Sequence, residues 1–220
     1  MVYHWSFGLL ARYTPLFVSG VLVTLAYTVG TIVLGAVLGL VLGMARLSRS
    51  RLVNVPLVAF IEFFRCTPLL VLIVWFYYAL PVLLGIQIPA TTAAVAVLSL
   101  YTGAFYAEIF RGGILSIEPG QWDAARALGL RRAHLMRFVI LPQAVRRMVP
   151  PLLNQSITQL KNTSLVSTIA VPDLLYQGTL ITADTYRPLE VYTVVALIYF
   201  ALLFPATRVV QFYEHRLAAR

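Results

Sequence analysis

The stretch LFVSGVLVTLAYTVGTIVLGAVLGLVLGMA, residues 16–45, decides the fold class of this 220-residue chain. It is longer than the about 20 residues that a helix needs to cross a bilayer, and none of its side chains is charged. A signal-peptide core is much shorter, so we expect the segment to stay in the membrane as a helix. The sequence therefore predicts an integral membrane protein.

The composition of the whole chain agrees with a lipid environment. Hydrophobic residues make up 60% and charged residues 11% of the sequence, and the mean hydropathy is +0.84. A soluble domain would carry about twice that charged fraction, so the excess apolar surface needs lipid as its solvent. The net charge is +9, but long apolar runs separate the arginines and exclude a continuous nucleic-acid-binding face. We expect membrane lipid, and no nucleic acid, as a partner.

Four further stretches are long and apolar enough to span a bilayer. The complete set of predicted spans is 16–45, 55–80, 90–114, 138–163 and 188–210. The second contains Glu62 and Arg65, and the fourth contains two arginines and Lys161, so these two are unusual as simple spans. We predict an all-α membrane protein in which residues 1–220 form one transmembrane domain with five spans.

The basic residues predict how these spans are oriented. Cytoplasmic loops are enriched in Lys and Arg, and one side of the predicted bundle carries most of them: Arg46, Arg49, Arg51, Arg111, Arg126, Arg131, Arg132, Arg137, Arg208, Arg216 and Arg220. The other side has Arg12, Lys161 and Arg187 nearby. We therefore expect the N-terminus outside the cell and the C-terminus in the cytoplasm.

Glycines recur at spacing four in the first span, at Gly35, Gly39 and Gly43. Such a stripe lets two helices approach closely in lipid, where van der Waals contact drives association. Another helix of the same chain or a second subunit would fit this face, and we favour packing within the chain.

A short helix is predicted in the connection between the third and fourth spans. Pro119 suits the first turn of a helix and Gly129 the position just past its end. Trp122, Ala125 and Leu128 recur at three-residue spacing. The helix is too short to be stable alone and too polar to enter the bilayer, so it needs either a partner groove or the lipid headgroups. These residues leave both alternatives open.

The same connection closely resembles the Glu-Ala-Ala loop of permease subunits of bacterial ATP-binding-cassette importers. It reads Asp123-Ala-Ala, three residues, Gly129, nine residues, Val139, one residue and Leu141-Pro142. Asp123 replaces the usual glutamate and Val139 the usual isoleucine, and both substitutions preserve the character of the residue.

Four more motifs resemble the polar amino acid branch of that family, whose members carry histidine, glutamine, glutamate or arginine. In chain order they are Gly20-Val-Leu-Val-Thr-Leu, Phe64-Arg-Cys-Thr-Pro-Leu-Leu, Tyr106-Ala-Glu-Ile-Phe-Arg-Gly-Gly and Leu160-Lys-Asn-Thr-Ser-Leu. The resemblance covers nearly the whole chain and implies the type I permease fold of these importers. It also implies that residues 119–130 form a cytoplasmic coupling helix that docks into an ATPase, through Trp122, Asp123, Ala124, Ala125, Leu128 and Gly129.

The resemblance further implies the partners and the location. It implies a homologous permease subunit, two cytoplasmic ATPase subunits and an extracytoplasmic solute-binding protein in the bacterial cytoplasmic membrane. ATP and Mg would bind the ATPase, because a P-loop needs a lysine after a glycine-rich turn and the only lysine here, Lys161, follows Gln159-Leu160. With no zinc-binding histidine pair and no nucleophile elbow either, we expect no enzyme activity, metal or cofactor on this chain.

Polar residues crowd the end of the fourth predicted span. Inside a bilayer they are costly unless they face a partner or a watery cavity, and at this spacing they lie on two adjacent helical stripes. A solute-binding cavity between two subunits is one interpretation, and an interhelical hydrogen-bond network is the other. The candidate solute-binding residues are Gln155, Thr158, Gln159, Lys161, Asn162, Thr163 and Ser164.

Two pairs of opposite charges have helical spacing and are predicted to be structural ion pairs. One joins Glu62 to Arg65, which we expect to be buried, and the other joins Glu108 to Arg111 near the inner end of the third span.

The charge on the fourth span indicates the substrate class. Importers of cationic amino acids in this branch are expected to read Lys-Asp-Thr-Ser where this chain reads Lys161-Asn-Thr-Ser. With Gln155 and Asn162 neutral, the positive Lys161 favours an acidic or neutral polar amino acid, moved by alternating access. The alternatives are a self-contained channel or facilitator, a membrane scaffold or enzyme, and a permease subunit for another small solute such as an opine.

Overall fold

The computed structural model describes residues 4–48 and 50–218, with side chains up to residue 214. Within these residues the chain forms only helices and short connections, without a β-strand. Two of the arginines used to predict the orientation, Arg49 and Arg220, lie outside the described residues, and the side chain of Arg216 also lies outside them.

Helices of very different length follow one another along the chain. In order they are α1 Thr14–Ala45, α2 Arg51–Cys66, α3 Leu69–Val74, α4 Leu80–Leu84, α5 Ala90–Leu115, α6 Pro119–Ala127, α7 Arg132–His134, α8 Leu141–Asn162, α9 Leu174–Thr185 and α10 Pro188–Ala218. The 3-10 helices Phe7–Tyr13 and Thr163–Ile169 precede α1 and follow α8. The π-helical segments Trp75–Ala79 and Leu135–Ile140 precede α4 and α8.

Three helical segments of the described residues are individually long and apolar enough to cross a membrane. They are Phe7–Ala45, Ala90–Leu115 and Pro188–Glu214, and they correspond to the first, third and fifth predicted spans. Each has few charged residues in an apolar stretch long enough to cross the hydrocarbon core of a bilayer.

The second predicted span, residues 55–80, is wrong as a single helix. α2 and the helical segment Leu69–Leu84 meet at an angle of 105°. The cause is Pro68, which disfavours helical backbone at the preceding residue, and Thr67 is extended with φ −90° and ψ 131°. Taken together the bent pair is long and apolar enough for one broken span, which gives the described residues three spans or four.

The fourth predicted span, 138–163, corresponds to α8, which is not among these membrane-crossing candidates. α8 has 22 residues, so its composition and not its length is the reason. Arg146, Arg147 and Lys161 lower its hydropathy, and Pro150 and Pro151 lie inside it. The predicted total of five spans is therefore not confirmed in the described part of the chain.

The connection after α8 contains a helix that the sequence analysis missed. The carboxylate of Asp173 accepts a hydrogen bond of 2.9 Å from the backbone N–H of Tyr176 and thereby caps the start of α9. The N–H of Leu174 donates to the hydroxyl oxygen of Thr24 in α1 at 3.1 Å. These contacts hold α9 against the first half of α1.

The glycine stripe of α1 packs against α5, as the sequence analysis favoured. A Cβ added at Gly39 would lie 2.5 Å from the Cβ of Tyr106, and one at Gly35 would lie 2.8 Å from that of Thr102. The backbones of the two helices therefore touch along this face. Since α1 and α5 are both largely apolar, this contact forms the central scaffold that positions the more polar helices.

Candidate functional site

α6 is a short helix at the end of the bundle where α1 and α5 terminate. Pro119 occupies its first turn, where a missing N–H breaks no helical hydrogen bond. Past its last residue Gly129 adopts φ +72°, and the N–H of Leu130 donates to the carbonyl oxygen of Ala125 at 3.2 Å. The helix therefore covers 119–127 of the predicted 119–130, and a tight turn covers the rest.

The inner face of α6 rests on apolar side chains from α5 and from the segment that leads into α8. Ala125 is buried and Trp122 is half-buried in this cluster, which includes Ile114 and Leu135. Leu128 does not continue this face as the three-residue spacing predicted, because α6 ends at Ala127 and the chain turns there. Its side chain is 80% exposed.

The outer face of α6 is open. Asp123 and Ala124 are exposed, and Asp123 forms a solvent-exposed ion pair of 3.2 Å with Arg126, a type of contact that contributes little stability. An exposed leucine next to this polar face gives α6 a contact surface that no other described part of the chain covers. One hydrogen bond of 3.3 Å between Gln143 and Gln121 connects this helix to α8.

The predicted solute-binding residues of α8 divide into two groups. Gln159 and Thr163 are buried, and the amide nitrogen of Gln159 donates to the hydroxyl oxygen of Thr31 in α1 at 2.9 Å. Thr158 and Lys161 are exposed, and Gln155, Asn162 and Ser164 are half-buried between these extremes. One face of α8 therefore takes part in an interhelical hydrogen bond, and the other face is an accessible polar surface.

The accessible face of α8 forms a continuous polar stripe. It comprises Arg147, Pro151, Asn154, Thr158 and Lys161, which are all exposed and follow the period of an α-helix. The amide nitrogen of Asn154 donates to a carboxylate oxygen of Glu214 in α10 at 2.7 Å. This stripe, which we call the α8 polar stripe, offers hydroxyl, amide and ammonium groups along one side of the bundle.

Unpaired amide atoms border this stripe. Nε2 of Gln155, Oε1 of Gln159 and Nδ2 of Asn162 are buried and have no hydrogen-bond partner among the described residues. A buried polar atom without a partner costs about 1–3 kcal/mol. Water or a polar solute at this position would remove that cost.

Both predicted ion pairs form. Nη1 of Arg65 lies 2.7 Å from Oε1 of Glu62, but their side chains are 33% and 43% exposed, so this pair is not buried as expected. It lies at the end of α2, close to the bend at Pro68. Nη2 of Arg111 lies 2.7 Å from Oε2 of Glu108.

Glu108 also has a second partner that the sequence analysis missed. Arg46, at the end of α1, forms an ion pair with the other carboxylate oxygen of Glu108. The sequence analysis used Arg46 only to predict the orientation in the membrane, because its partner Glu108 is 62 positions away. Arg147, at one end of the α8 polar stripe, donates to the backbone carbonyl oxygen of Ser116 between α5 and α6.

Comparison with known proteins gives this arrangement a family. Residues 32–219 match the model of the family described as binding-protein-dependent transport system inner membrane component. The glutamine transport system permease protein GlnP of Escherichia coli strain K12 is 41% identical over 207 residues, which cover 94% of this chain and 93% of that protein. The chain belongs to this permease family.

Other permeases extend the comparison to structure and to a different solute. The crystal structure of an amino acid ABC transporter with histidines contains a chain with a TM-score of 0.92 and 37% identity, and the match covers 97% of this chain and 100% of that one. The octopine transport system permease protein OccM of Rhizobium meliloti is 38% identical over 198 residues, 86% of this chain and 81% of that protein. Membership of the permease family confirms the resemblance drawn from the motifs of the sequence.

α6 and the α8 polar stripe are two distinct surfaces of this permease chain. A permease subunit handles the solute inside the membrane, so the two surfaces are available for two different tasks. The apolar cluster around Ile114 and Leu135 lies between them and contacts both Trp122 and Met148. α6 and α8 therefore pack on one shared apolar cluster.

Proposed function

We propose that this chain is the membrane-spanning subunit of an ATP-driven importer for a polar amino acid, with neutral and acidic amino acids favoured over cationic ones. The observation that carries the proposal is the geometry of α6. Trp122 and Ala125 anchor its inner face, while Asp123, Ala124 and Leu128 are free to enter a groove on another protein. A self-contained channel would have no use for such a surface.

In this proposal α6 is the coupling helix. Closure of two ATPase subunits around ATP and Mg would displace α6, and the turn at Gly129 would pass the displacement to the segment Leu135–Ile140 and α8. Rigid-body movement of this kind switches a transporter between inward-open and outward-open states. The solute would then cross the membrane by alternating access.

The α8 polar stripe is the proposed solute pathway. Lys161 attracts a carboxylate and repels a cation, and Thr158, Gln155 and Asn162 supply neutral hydrogen-bonding groups. Ser164 extends the pathway, while Gln159 and Thr163 act from behind it by fixing α8 against its neighbours. The glutamine permease of Escherichia coli supports a neutral polar amino acid, and the octopine permease supports an opine as the second candidate.

The proposed assembly has α6 in the cytoplasm, and five passages of the chain through the membrane, with α8 as the fourth. This orientation places the N-terminus outside, where a solute-binding protein would deliver the solute, and the C-terminus inside. A second permease subunit, identical or homologous, would complete the pathway by covering the α8 polar stripe.

Substitution of Leu128 by Glu tests the role of α6 directly. The side chain is exposed, so the variant is expected to fold normally while a charge blocks docking into an apolar groove. We expect ATPase association and solute uptake to fall by at least roughly tenfold, which corresponds to about 1.4 kcal/mol of binding free energy.

Leu52→Glu is the matched control, since Leu52 is 90% exposed at the start of α2 and outside α6. It is expected to leave both measurements unchanged. Uptake by Leu128→Glu at the rate of the unmodified chain would disprove the coupling role. Competition of glutamine, glutamate, arginine and octopine for uptake then separates the candidate solutes.

A further inference from the structure

A groove beside α6 is separate from the α8 polar stripe. Its volume is about 1120 Å³. The end of α1, the start of α2, the end of α5, α6 and the segment around α7 all contribute side chains to it. Neither solute passage nor docking of the outer face of α6 uses this groove.

The walls of the groove are apolar and open. Met44, Val53 and Leu115 line it with exposed fractions of 43%, 42% and 59%, and Trp122 forms the wall on the side of α6. These exposed apolar side chains favour contact with an apolar group over contact with water. The groove therefore needs an apolar occupant.

The rim of the groove is cationic. Arg126 and Arg132 both line it and both are exposed, and the hydroxyl of Ser48 lies on the same rim. Arg132 forms no side-chain hydrogen bond or ion pair with any of the described residues, and the ion pair of Arg126 with Asp123 is solvent-exposed. Both guanidinium groups can therefore bind an anion at the mouth of the apolar groove.

We propose that this groove binds one anionic phospholipid of the cytoplasmic leaflet. An acyl chain would lie against Met44, Val53 and Trp122, and the phosphate would be held by Arg126 and Arg132, because guanidinium groups bind phosphate with charge-assisted hydrogen bonds. Basic pockets between transmembrane helices at the cytoplasmic surface bind anionic headgroups in this way. The orientation in the membrane is the one part of the proposed function on which this site rests.

The position of Trp122 gives the site a consequence for transport. The same indole packs on the apolar cluster beneath α6 and lines the groove. A bound acyl chain would therefore contact the coupling helix at Trp122, whereas ATPase docking is proposed to use Asp123, Ala124 and Leu128. The anionic lipid content of the membrane would set how firmly α6 is held.

The fluorescence of Trp122 can be used to detect a lipid bound in the groove. The chain has three tryptophans, and replacing Trp5 and Trp75 with Phe leaves Trp122 as the single tryptophan, which can be excited selectively, in the full-length protein. This protein is reconstituted in phosphatidylcholine vesicles that contain a fixed fraction of brominated phosphatidylglycerol or brominated phosphatidylcholine. Bromine on an acyl chain quenches tryptophan fluorescence only at contact, so the two lipids can be compared directly.

We expect stronger quenching by brominated phosphatidylglycerol than by brominated phosphatidylcholine. In the Arg132→Gln variant, the preference of the protein for phosphatidylglycerol should fall about fivefold, because one arginine near the membrane contributes about that factor. Arg131→Gln is the matched control, because Arg131 is the neighbouring exposed arginine and does not line the groove. It is expected to keep the preference.

Three results would overturn the proposal. Equal quenching by the two lipids would remove the headgroup selectivity, and equal loss in Arg131→Gln and Arg132→Gln would reduce it to general surface charge. Release of quenching by inorganic phosphate would indicate a site for the free anion. None of these measurements involves uptake or an ATPase, so failure here is distinguishable from failure of the transport proposal.

Discussion

The pair formed by α1 and α5 differs from the single helix α8 in the chemistry of its contacts. The first two touch along Gly35, Gly39 and Gly43 through close contact of their backbones. α8 carries the polar stripe, two internal prolines and a buried glutamine that bonds to α1. Close backbone contact fixes the first region, whereas directional hydrogen bonds hold the second.

This difference separates the scaffold formed by α1 and α5 from the proposed solute pathway on α8. Van der Waals contact between backbones is dense and leaves no room for water, so the α1 and α5 pair cannot open without losing its contacts. Polar groups on α8 can exchange a partner within the chain for water or solute at a smaller cost. A transport subunit needs both properties, and here they belong to different helices.

The largest effect is expected from Gly39→Leu, which attacks the scaffold. A Cβ at this position lies 2.9 Å from the backbone oxygen of Gly103 as well as close to Tyr106, so α1 and α5 must separate. We expect a loss of about 3 kcal/mol in stability, at the upper end for overpacking, measured as a fall in the thermal unfolding midpoint in detergent. Much of the protein is expected to aggregate.

Gly30→Leu on the same helix is the control for this change. A Cβ at Gly30 meets nothing within 4 Å, and leucine has the higher helix propensity. Its unfolding midpoint is expected to stay the same or rise slightly. A similar loss in both variants would mean that the glycines matter for the backbone of α1 and not for its contact with α5.

A smaller effect is expected from Asn162→Asp, which changes the charge of the pathway without touching the scaffold. A carboxylate beside Lys161 offsets its charge and attracts a cation. We expect uptake of arginine relative to glutamine to rise roughly tenfold, the equivalent of about 1.4 kcal/mol, in competition assays. Asn162→Gln keeps a neutral amide and should leave the arginine-to-glutamine uptake ratio unchanged. If Asn162→Asp also left this ratio unchanged, residue 162 would not contact the solute.

The smallest expected effect on stability distinguishes the buried face of α8 from its exposed face. Gln159→Ala removes the hydrogen bond of 2.9 Å to Thr31 and is expected to lower stability by about 1 kcal/mol. Thr158→Ala, one residue earlier on the exposed face, should stay within about 0.5 kcal/mol of the unmodified protein and lower uptake instead. Equal stability of the two variants would contradict the assignment of Gln159 to the network.

The sequence predicted the parts of this fold that depend on local signals. The long apolar helices, the proline and glycine that bound α6, and the two ion pairs at three-residue spacing were all found in this way. The bend between α2 and α3 was missed although Pro68 was visible, because both sides of the proline are apolar and the hydropathy runs through it.

Contacts between distant residues could not be predicted. Periodicity placed Gln159 and Thr158 on adjacent stripes, but only the packing against α1 decides which stripe is buried. In the same way, Arg46 has no local feature that connects it with Glu108, and the helix α9 depends on a capping carboxylate and a contact with Thr24. One sequence contains the residues for these contacts but not the geometry that selects them.

The adjacent prolines of α8 have a mechanical consequence. Pro150 and Pro151 lack the N–H groups that would bond to the carbonyl oxygens of Arg146 and Arg147. Two backbone hydrogen bonds of the helix are therefore absent in every conformation. Bending of α8 at the two prolines therefore does not have to break these two backbone hydrogen bonds. The half of α8 nearest α6 and the half that carries Lys161 are therefore joined by a stretch with fewer backbone hydrogen bonds than the rest of the helix.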